Sequence, residues 1–399
     1  MSEILKPRIL RLEIEEADAG KTIKEYLMRK IGFSSKQLSR FKYRRDGILL
    51  NGEKRYVNAP LQTGDVLEIR LTQGGEAAER PEEGKSSSPA ADDKRKSAGG
   101  YLAARDGRLQ KIWVKPADWL SERFPLKILY EDGDILAADK PSGVVCHPSP
   151  GHFDDTLSNQ VAEHLGRIGQ ELDVRVTGRL DKDTSGIVVF ALNTETAAQL
   201  IKQRQAQMKE RFSFDFPDGT GQEAFSEDPE MILRKMTAGE NFKLYIARVR
   251  GHFGDRRTGT VDRPLRRESP DSFFMIGADD GKAARTHYCV LEQLSDGSSL
   301  VACRIEHGRT HQIRVHMALT GHPIAGDRMY GPPEEAGEIP LMLHAYRAGF
   351  RQPFTGEEIR IEAPLPDWAG AVKEKLTGEP DGEVTASSDR EEEVTVFAI

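Results

Sequence analysis

The stretch from Gln73 to Gly100, QGGEAAERPEEGKSSSPAADDKRKSAGG, limits how this chain of 399 residues can fold. It contains no aromatic residue and no aliphatic residue larger than alanine. Because Gly, Ser, Pro and charged residues cannot bury enough apolar surface to form a core, we expect residues 73–100 to be a flexible linker. The linker would separate a small N-terminal domain, residues 10–72, from a large domain at residues 126–370.

The small domain has the pattern of two helices followed by a β-hairpin. Apolar residues recur at helical spacing in KTIKEYLMRKI, and Ser34 and Ser35 are candidate N-caps of a second helix in SSKQLSRFKYR. The pair Asn51-Gly52 is typical of a hairpin turn, and TGDVLEIRL alternates as a strand does. The second helix carries a basic face, formed by Lys36, Arg40, Lys42, Arg44 and Arg45.

Charge is unevenly distributed along the chain, whose net charge is −7. Residues 376–399 contain seven acids and one arginine, and we expect them to form an acidic, disordered tail. Residues 29–55 contain nine Lys or Arg and two acids. The basic segment could follow a phosphate backbone, although an ordinary solvated surface would have the same composition.

The large domain is rich in strands. IVVFALN, FKLYIARVRG, THYCVLEQL and SLVACRIEHG read as strands, whereas SNQVAEHLGRI, TETAAQLIKQRQAQMKERF and HQIRVHMALTG read as helices. Strands outnumber helices and do not alternate regularly with them, which predicts an α+β fold.

Composition also restricts where the protein works. No apolar run approaches membrane-spanning length, and the N-terminus lacks the apolar segment of a signal peptide. The three cysteines are too few and too scattered for a disulfide framework or a four-cysteine zinc site. We therefore expect a cytoplasmic protein without membrane association.

The segment GRLDKDTSG, residues 178–186, brings charge to the edge of the apolar run IVVFAL. A phosphatase of the Asp-x-Asp type would place its acids after a strand, and here they precede one. A glycosidase needs two carboxylates on opposite sides of a sugar, which Asp181 and Asp183 in one loop are poorly placed to provide. The remaining interpretation is one catalytic residue, Asp181, beside Arg179, with Asp183, Thr184 and Ser185 shaping the turn through side-chain hydrogen bonds.

The histidines of HGRTHQIRVH offer a second candidate site. His307 and His311 are four residues apart, but glycine stands where a zinc protease has its glutamate, and Arg309 and Arg314 lie between and after them. We expect no metal site and read His311 as a hydrogen-bonding residue. A Cys146-His147 nucleophile is disfavoured because adjacent side chains rarely point together.

Five segments of the large domain occur in the order found in the RluA-type family of RNA pseudouridine synthases. They are ILYEDGDILAADKPSGVVCHPS, GRLDKDTSGIVVFALN, FKLYIARVRG, GRTHQIRVHMALTGHPIAGDRMYG and LHAYRAGF. The resemblance implies an isomerase with a large mixed or antiparallel sheet. It implies that Asp181 is the catalytic aspartate, that Arg179 fills the RNA stack vacated by the flipped uridine, and that Tyr245 stacks on the uracil. Arg314 would pair with Asp181, and Ile313 would close the pocket. We also count Arg309 and His311 as candidate substrate-binding residues, although a surface salt bridge explains Arg309 equally well.

The small domain, from FSSKQLSRFKYRR to TGDVLEI, resembles the S4 RNA-binding domain, a small α+β unit. Because of this resemblance, we expect the basic face to contact RNA. With the family resemblance, it implies an RNA partner, ribosomal RNA in the first place and transfer RNA as the other possibility. We expect no DNA partner, and we expect the protein to be a monomer.

The chain departs from the family at two places. The residue before Arg179 is usually histidine, and here it is Gly178. Residues 208–240 look like an insertion, which could cover RNA or lengthen a loop. The alternative function is therefore an S4-bearing RNA-binding or ribosome-assembly protein without catalytic activity. Retention of Arg179, Asp181, Tyr245 and Arg314 favours the enzyme.

The implied reaction requires no cofactor, since uracil is detached from C1′ of the ribose, rotated and rejoined through C5 without oxidation. A carboxylate can act as the nucleophile at C1′ or as a base at the sugar, and the sequence leaves both open. In a buried pocket, a paired arginine would favour the charged form of this carboxylate.

Overall fold

The structure of the protein is a computed structural model. It describes residues 8–44, 46–71, 101–103, 109–111, 115–169, 174–207, 229–255, 257–333 and 339–372. The predicted linker, the acidic tail, Arg45 and residues 208–228 of the apparent insertion lie outside these ranges.

The N-terminal part consists of two short helices on a small antiparallel sheet. Its elements are β1 (Ile9–Glu13), α1 (Ile23–Arg29), α2 (Ser35–Lys42), β2 (Ile48–Leu50), β3 (Glu53–Lys54) and β4 (Val66–Arg70), with a 3₁₀ turn at Glu16–Asp18. The strand order is β1-β4-β2-β3. The two helices begin at capping boxes, in which Thr22 and Ser34 are the N-caps. Asn51 and Gly52 both have positive φ, which is the geometry that a tight hairpin turn requires.

The large part is built around one extended sheet with helices packed on it. The helices are α3 (Asp118–Arg123), α4 (Leu157–Arg167), α5 (Thr194–Gln207), α6 (Pro229–Met236) and α7 (Gln312–Leu319). The strands of the sheet are β7 (Lys127–Glu131), β8 (Ile135–Lys140), β9 (Arg175–Val176), β10 (Ser185–Ala191), β11 (Phe242–Arg250), β12 (Thr258–Asp262), β15 (Arg285–Gln293), β16 (Ser298–Ile305), β17 (Leu343–Arg351) and β18 (Glu358–Glu362). Two short hairpins, β5 (Tyr101–Ala103) with β6 (Leu109–Lys111) and β13 (Leu265–Arg267) with β14 (Met275–Gly277), lie apart from it, and a 3₁₀ turn follows at Asp367–Ala369.

The sheet is mixed, with the order β12-β15-β16-β11-β17-β10-β8-β7, while β18 pairs with β17 and β9 with β10. Among the described strands, the pairing of β10 with β17 is parallel and the others are antiparallel. This arrangement confirms the predicted α+β class. No helix in the described ranges is both long and apolar enough to cross a membrane.

Strand β11 shows how the sequence produces two cores. Its side chains alternate between the faces of the sheet, so that Tyr245, Ala247 and Val249 join one buried cluster. Leu244 and Ile246 join another cluster on the opposite face. The same alternation places Lys243 on the face that carries Tyr245, and this face contains the predicted catalytic residues.

The N-terminal part contacts the large part through charged pairs. Arg8 donates to both carboxylate oxygens of the buried Asp134, at 3.0 and 2.7 Å. Arg40 lies 2.9 Å from an oxygen of Glu195, whose side chain is fully buried. Arg40 is exposed, as the expected basic face requires, but its guanidinium is also paired with a buried carboxylate of the large part. Its contact with RNA stays a prediction.

Candidate active site

One pocket collects the large-domain residues singled out from the sequence. Its lining includes Arg179, Asp181, Tyr245, Arg309, His311, Ile313 and Arg314. The loop before β10, strand β11 and the start of helix α7 contribute these side chains. Asp183, the other acid of the segment, is exposed and does not line this pocket. This placement favours a single catalytic carboxylate over a pair.

A buried lysine holds the loop that carries Asp181 in place. Lys140 is fully buried, and its ammonium donates to the carbonyls of Pro141, Val144 and Lys182 at 2.7 to 2.9 Å. Burial lowers the pKa of Lys140 to about 8. Because three carbonyls satisfy the ammonium, this lysine fixes the backbone next to Asp181. Sequence reasoning missed its role, although it lies in one of the resembling segments.

A cysteine holds the same loop from its other side. The Cys146 thiol accepts from the backbone N–H of Leu180 at 3.2 Å and donates to the Leu180 carbonyl at 3.3 Å. Cys146 is 1% exposed, and burial raises the pKa of its thiol. A buried thiol in its neutral form is a structural residue and not a nucleophile.

The turn after Asp181 is not shaped in the expected way by three side chains. The Ser185 hydroxyl interacts with Nδ1 of His344 on β17, at 2.9 Å. Among the described residues, the Thr184 hydroxyl has no hydrogen-bond partner, although its residue lines the pocket. The turn is held instead through its own backbone, because the Thr184 N–H donates to the Asp181 carbonyl and the Asp183 carbonyl accepts from the Ser142 hydroxyl.

Tyr245 forms a wall of the pocket. It lies opposite Cys303 on β16 and Ala345 on β17, and it is 5% exposed. Burial raises the pKa of its phenol, so that the ring stays neutral at physiological pH. A flat, neutral ring held by two neighbouring strands is suited to stack on a base.

Arg314 has a different principal partner from the expected one. Its guanidinium makes two 2.7 Å hydrogen bonds to the carboxylate of Asp327. A third nitrogen lies 4.0 Å from Oδ2 of Asp181. The contact of Arg314 with Asp181, which the sequence predicted, is therefore the longer of its two contacts. The short, bidentate hydrogen bonds are made to Asp327.

Asp327 is the buried counterpart of this arginine. Its side chain has no exposed surface and also accepts the backbone N–H groups of Met329 and Tyr330, at 2.9 and 3.1 Å. Burial opposes ionisation, but the pair with Arg314 and these N–H groups hold the pKa of Asp327 below its usual value. Asp327 thus fixes the orientation in which Arg314 faces Asp181.

His311 occupies a special position before helix α7. Its φ of 56° is left-handed, and its Nδ1 lies 2.8 Å from the Tyr330 hydroxyl. Because the Met275 N–H donates to that hydroxyl, the Tyr330 proton is available to His311. Burial lowers the pKa of His311, so its neutral form accepts this bond. The expected hydrogen-bonding role fits this geometry.

The remaining predicted residues also line this pocket. Arg179 is exposed and donates to the Thr310 hydroxyl at 2.8 Å. Arg309 donates to the carbonyl of Ala283 at 2.9 Å. Ile313 is 5% exposed and contributes an apolar wall. An exposed guanidinium beside the pocket is available to a ligand that enters it.

The described residues include no cluster of three His, Cys, Asp or Glu side chains arranged to hold a metal ion. His316 is fully buried, and its two ring nitrogens contact the Thr286 hydroxyl and the Arg263 carbonyl. The arrangement therefore offers one carboxylate, a nearby guanidinium and an aromatic wall. These groups can hold a flat base and act on the sugar attached to it.

Comparison with known proteins identifies the family. A family model described as RNA pseudouridylate synthase matches residues 134–212 and 224–319. The chain is 37% identical over 262 residues to an uncharacterized RNA pseudouridine synthase of Bacillus subtilis (strain 168), covering 65% of this chain and 75% of the relative. It is 31% identical over 315 residues to ribosomal large subunit pseudouridine synthase D of Yersinia pestis, covering 76% of this chain and 81% of the relative.

A similar protein of Nitrosomonas europaea, also a ribosomal large subunit pseudouridine synthase D, is 33% identical over 273 residues, covering 66% of this chain and 69% of the relative. The residues that the family model matches include the loop of Asp181, strand β11 and helix α7. The chain therefore belongs to the family of RNA pseudouridine synthases, isomerases that make pseudouridine in RNA.

Proposed function

We propose that this enzyme converts uridine to pseudouridine in the RNA of the large ribosomal subunit. The observation that carries the proposal is the placement of Asp181 in a pocket with Tyr245 as a wall and the Arg314 guanidinium 4.0 Å from its carboxylate. The names of the Yersinia and Nitrosomonas relatives support ribosomal RNA as the substrate. The complete set of pocket residues disfavours a protein that only binds RNA.

In the proposed mechanism, the target uridine leaves the RNA stack and enters the pocket. Unstacking costs a few kcal/mol, and stacking on Tyr245 recovers about 1–3 kcal/mol. Arg179, exposed at the opening, fills the space that the base vacates. Ile313 closes the pocket with an apolar side chain.

The chemical step balances without an added reagent. The bond between N1 of uracil and C1′ breaks, the base rotates, and a bond between C5 and C1′ forms. The proton leaves C5, and N1 gains one. Asp181 acts either as nucleophile at C1′ or as base at the sugar, and Arg314 keeps this carboxylate beside a positive charge.

The direct test is to map pseudouridines after the purified protein has acted on large-subunit ribosomal RNA made without modifications. We expect new pseudouridine at discrete uridines of this RNA. A transfer-RNA transcript assayed in parallel decides between the two substrates. Product in transfer RNA alone would contradict the proposed substrate, and product in neither RNA would contradict the proposed function.

The N-terminal part is proposed to bind RNA in the manner of an S4 domain, with the enzyme acting as a monomer in the cytoplasm. Lys36 and Lys42 on α2 are exposed, whereas Arg44 is partly buried and donates to the Arg70 carbonyl. Beside Lys42, a surface groove is lined by Tyr43 and Tyr56, which are 80% and 87% exposed. Exposed aromatic rings among cations are suited to stack on unpaired bases.

This proposal predicts a weaker salt dependence when two cations of α2 are removed. In the variant Lys36→Gln/Lys42→Gln, the slope of log affinity against log salt concentration should become shallower by about 1.4 to 1.8, because two phosphate contacts are lost. Titration of labelled ribosomal RNA at several salt concentrations measures the slope. The control variant Lys24→Gln/Arg29→Gln, on α1, should keep the wild-type slope.

Equal salt slopes in the two variants would contradict the RNA contact and would mean that the basic face is an ordinary solvated surface. The test uses point variants of the full chain for a structural reason. Deleting the N-terminal part would take Arg8 from the buried Asp134 and Arg40 from the buried Glu195. Such a deletion would mix lost RNA contacts with damage to the large part.

A further inference from the structure

A second pocket adjoins the candidate active site. Arg179, Tyr245, Ile305 and Gly308 line both pockets, so the two cavities share a wall that includes Tyr245. The second pocket also contains Gly178, Arg204 and Lys243. None of these three residues has a role in the proposed chemistry.

Two cationic groups meet in this second pocket. A methyl group built on Gly178 would lie 2.9 Å from Nζ of Lys243 and 3.2 Å from Nη1 of Arg204. The ammonium and the guanidinium nitrogen are thus within about 6 Å of each other, a distance at which like charges in a partly buried site repel. Burial, with the nearby Arg204, lowers the pKa of Lys243 to about 8.

No carboxylate compensates this pair within the described part of the chain. The Arg204 guanidinium donates to the Thr177 carbonyl at 3.0 Å, and no described acid lies within salt-bridge distance of Arg204 or Lys243. Glu306 also lines the pocket, but its two oxygens contact Arg285 and His287 at 3.0 and 2.9 Å. A neighbouring polar atom, Nδ1 of His307, is buried and has no hydrogen-bond partner among the described residues.

Two partly buried, mutually repelling cations and a histidine nitrogen without a described partner form a site that lacks an anion. Two glycines keep the space open, since a methyl group on Gly308 would lie 2.4 Å from the other terminal nitrogen of Arg204. Arg204 therefore passes between Gly178 and Gly308.

We propose that the pocket between Lys243 and Arg204 binds a backbone phosphate of the RNA next to the flipped uridine. This inference rests on the proposed function and adds a contact that positions the substrate. A phosphodiester has two non-bridging oxygens, so it can bridge the ammonium and the guanidinium and relieve their repulsion. Because Lys243 and Tyr245 project from the same face of β11, the phosphate would lie directly beside the stacked base.

The first test removes each cation separately, as Lys243→Met and Arg204→Gln. Each variant should bind RNA roughly tenfold more weakly at moderate salt, since a hydrogen bond to a charged group is lost. Each should also make the salt slope of binding shallower by about 0.7 to 0.9, the value for one phosphate contact. The control is Lys202→Gln, an exposed lysine on the same helix as Arg204, which should behave as wild type.

A third variant closes the pocket without removing charge. Gly178→Leu places an uncharged, apolar side chain in the space that the phosphate would enter, and it should weaken binding as the cation variants do. Thermal unfolding checks the folded state, and Lys243→Met should be at least as stable as wild type because the repulsion is relieved. Weak binding together with a lowered unfolding temperature in all three variants would make the residues structural and overturn the proposal.

The decisive arm uses a synthetic RNA that contains a mapped target uridine and one neutral methylphosphonate linkage at a time. At one linkage beside the uridine, wild type should lose the same affinity as Lys243→Met, and Lys243→Met should lose nothing further. If wild type and Lys243→Met lost the same affinity at every methylphosphonate linkage, the proposed phosphate pocket would be wrong. Wild-type product on the unmodified RNA is measured in parallel, since its absence contradicts the proposed function, whereas its presence with insensitive variants contradicts the pocket alone.

Discussion

Asp181→Asn is expected to abolish pseudouridine formation while leaving RNA binding nearly intact. An amide can act neither as the nucleophile at C1′ nor as a base, so we expect the single-turnover rate to fall by at least about a thousandfold. Binding should persist because Tyr245, Arg179 and the basic surfaces of the protein are unchanged. Single-turnover assays and RNA titrations on the same preparation measure the two effects separately.

Asp183→Asn is the matched control for this prediction. Asp183 lies two residues further along the same loop, is exposed, and does not line the pocket. Its replacement should leave the rate within about twofold of wild type, as for a surface substitution. A rate for Asp181→Asn within tenfold of wild type would contradict the assignment of the catalytic carboxylate.

Arg314→Met is expected to damage both stability and chemistry. The substitution leaves Asp327 ionised, fully buried and without its bidentate partner, which should lower the free energy of unfolding by about 3–5 kcal/mol. It also removes the guanidinium that lies 4.0 Å from Asp181. Denaturant unfolding and single-turnover rates on the folded variant measure the two losses.

A double variant separates these two roles. In Arg314→Met/Asp327→Leu, the buried charge is gone, so much of the stability should return, because a buried ion pair can often be replaced by apolar residues. Activity should stay low, since Asp181 still lacks its positive neighbour. Recovery of both stability and activity would show that Arg314 has only a structural role.

The stability loss in Arg314→Met should also depend on pH. In wild type, the lowered pKa of Asp327 gives a stabilisation that is present above the unfolded carboxyl pKa of about 3.9 and is lost as the pH falls through the lower folded value. Without Arg314, burial should raise the folded pKa, so protonation relieves the variant on acidification. The difference in unfolding free energy between wild type and variant should therefore be largest near pH 7 and shrink toward pH 5.

If the main partner of Arg314 were Asp181, Arg314→Met would lower the single-turnover rate, and the difference in unfolding free energy from wild type would vary little between pH 5 and pH 7. Since Asp327 takes the two short hydrogen bonds, we expect the dominant pH effect to be on stability. A stability difference that does not vary between pH 5 and pH 7 would contradict the role of Asp327.

Local sequence was sufficient for the elements of the N-terminal part. Ser34 caps α2 as predicted, and Asn51 with Gly52 forms the predicted turn between β2 and β3. Caps and tight turns depend on side chains within three or four residues of each other, so their signals are present in a short stretch of sequence. The predicted α+β class likewise followed from the order of the strand and helix patterns along the chain.

The residues of the pocket were identified by the family resemblance and not by any local pattern. Arg179, Tyr245 and Arg314 are far apart in the chain, and only the order of the resembling segments related them to Asp181. The structure brings them into one pocket because the loop before β10, strand β11 and helix α7 meet at one region of the sheet. Lys140 and Asp327, which hold this arrangement, lay in the same segments without a signal of their own.

The sequence by itself determined the local elements and the α+β class and, through resemblance, pointed to the candidate catalytic aspartate and its neighbours. Only the tertiary structure decided which charges meet: Arg314 with Asp327, Arg40 with Glu195, and Lys243 beside Arg204. A lysine or arginine looks the same in the sequence whether it faces water, RNA or a buried carboxylate. The partner is chosen by packing between distant elements, because a charge can be buried at tolerable cost only where that packing supplies an opposite charge or a hydrogen-bond acceptor.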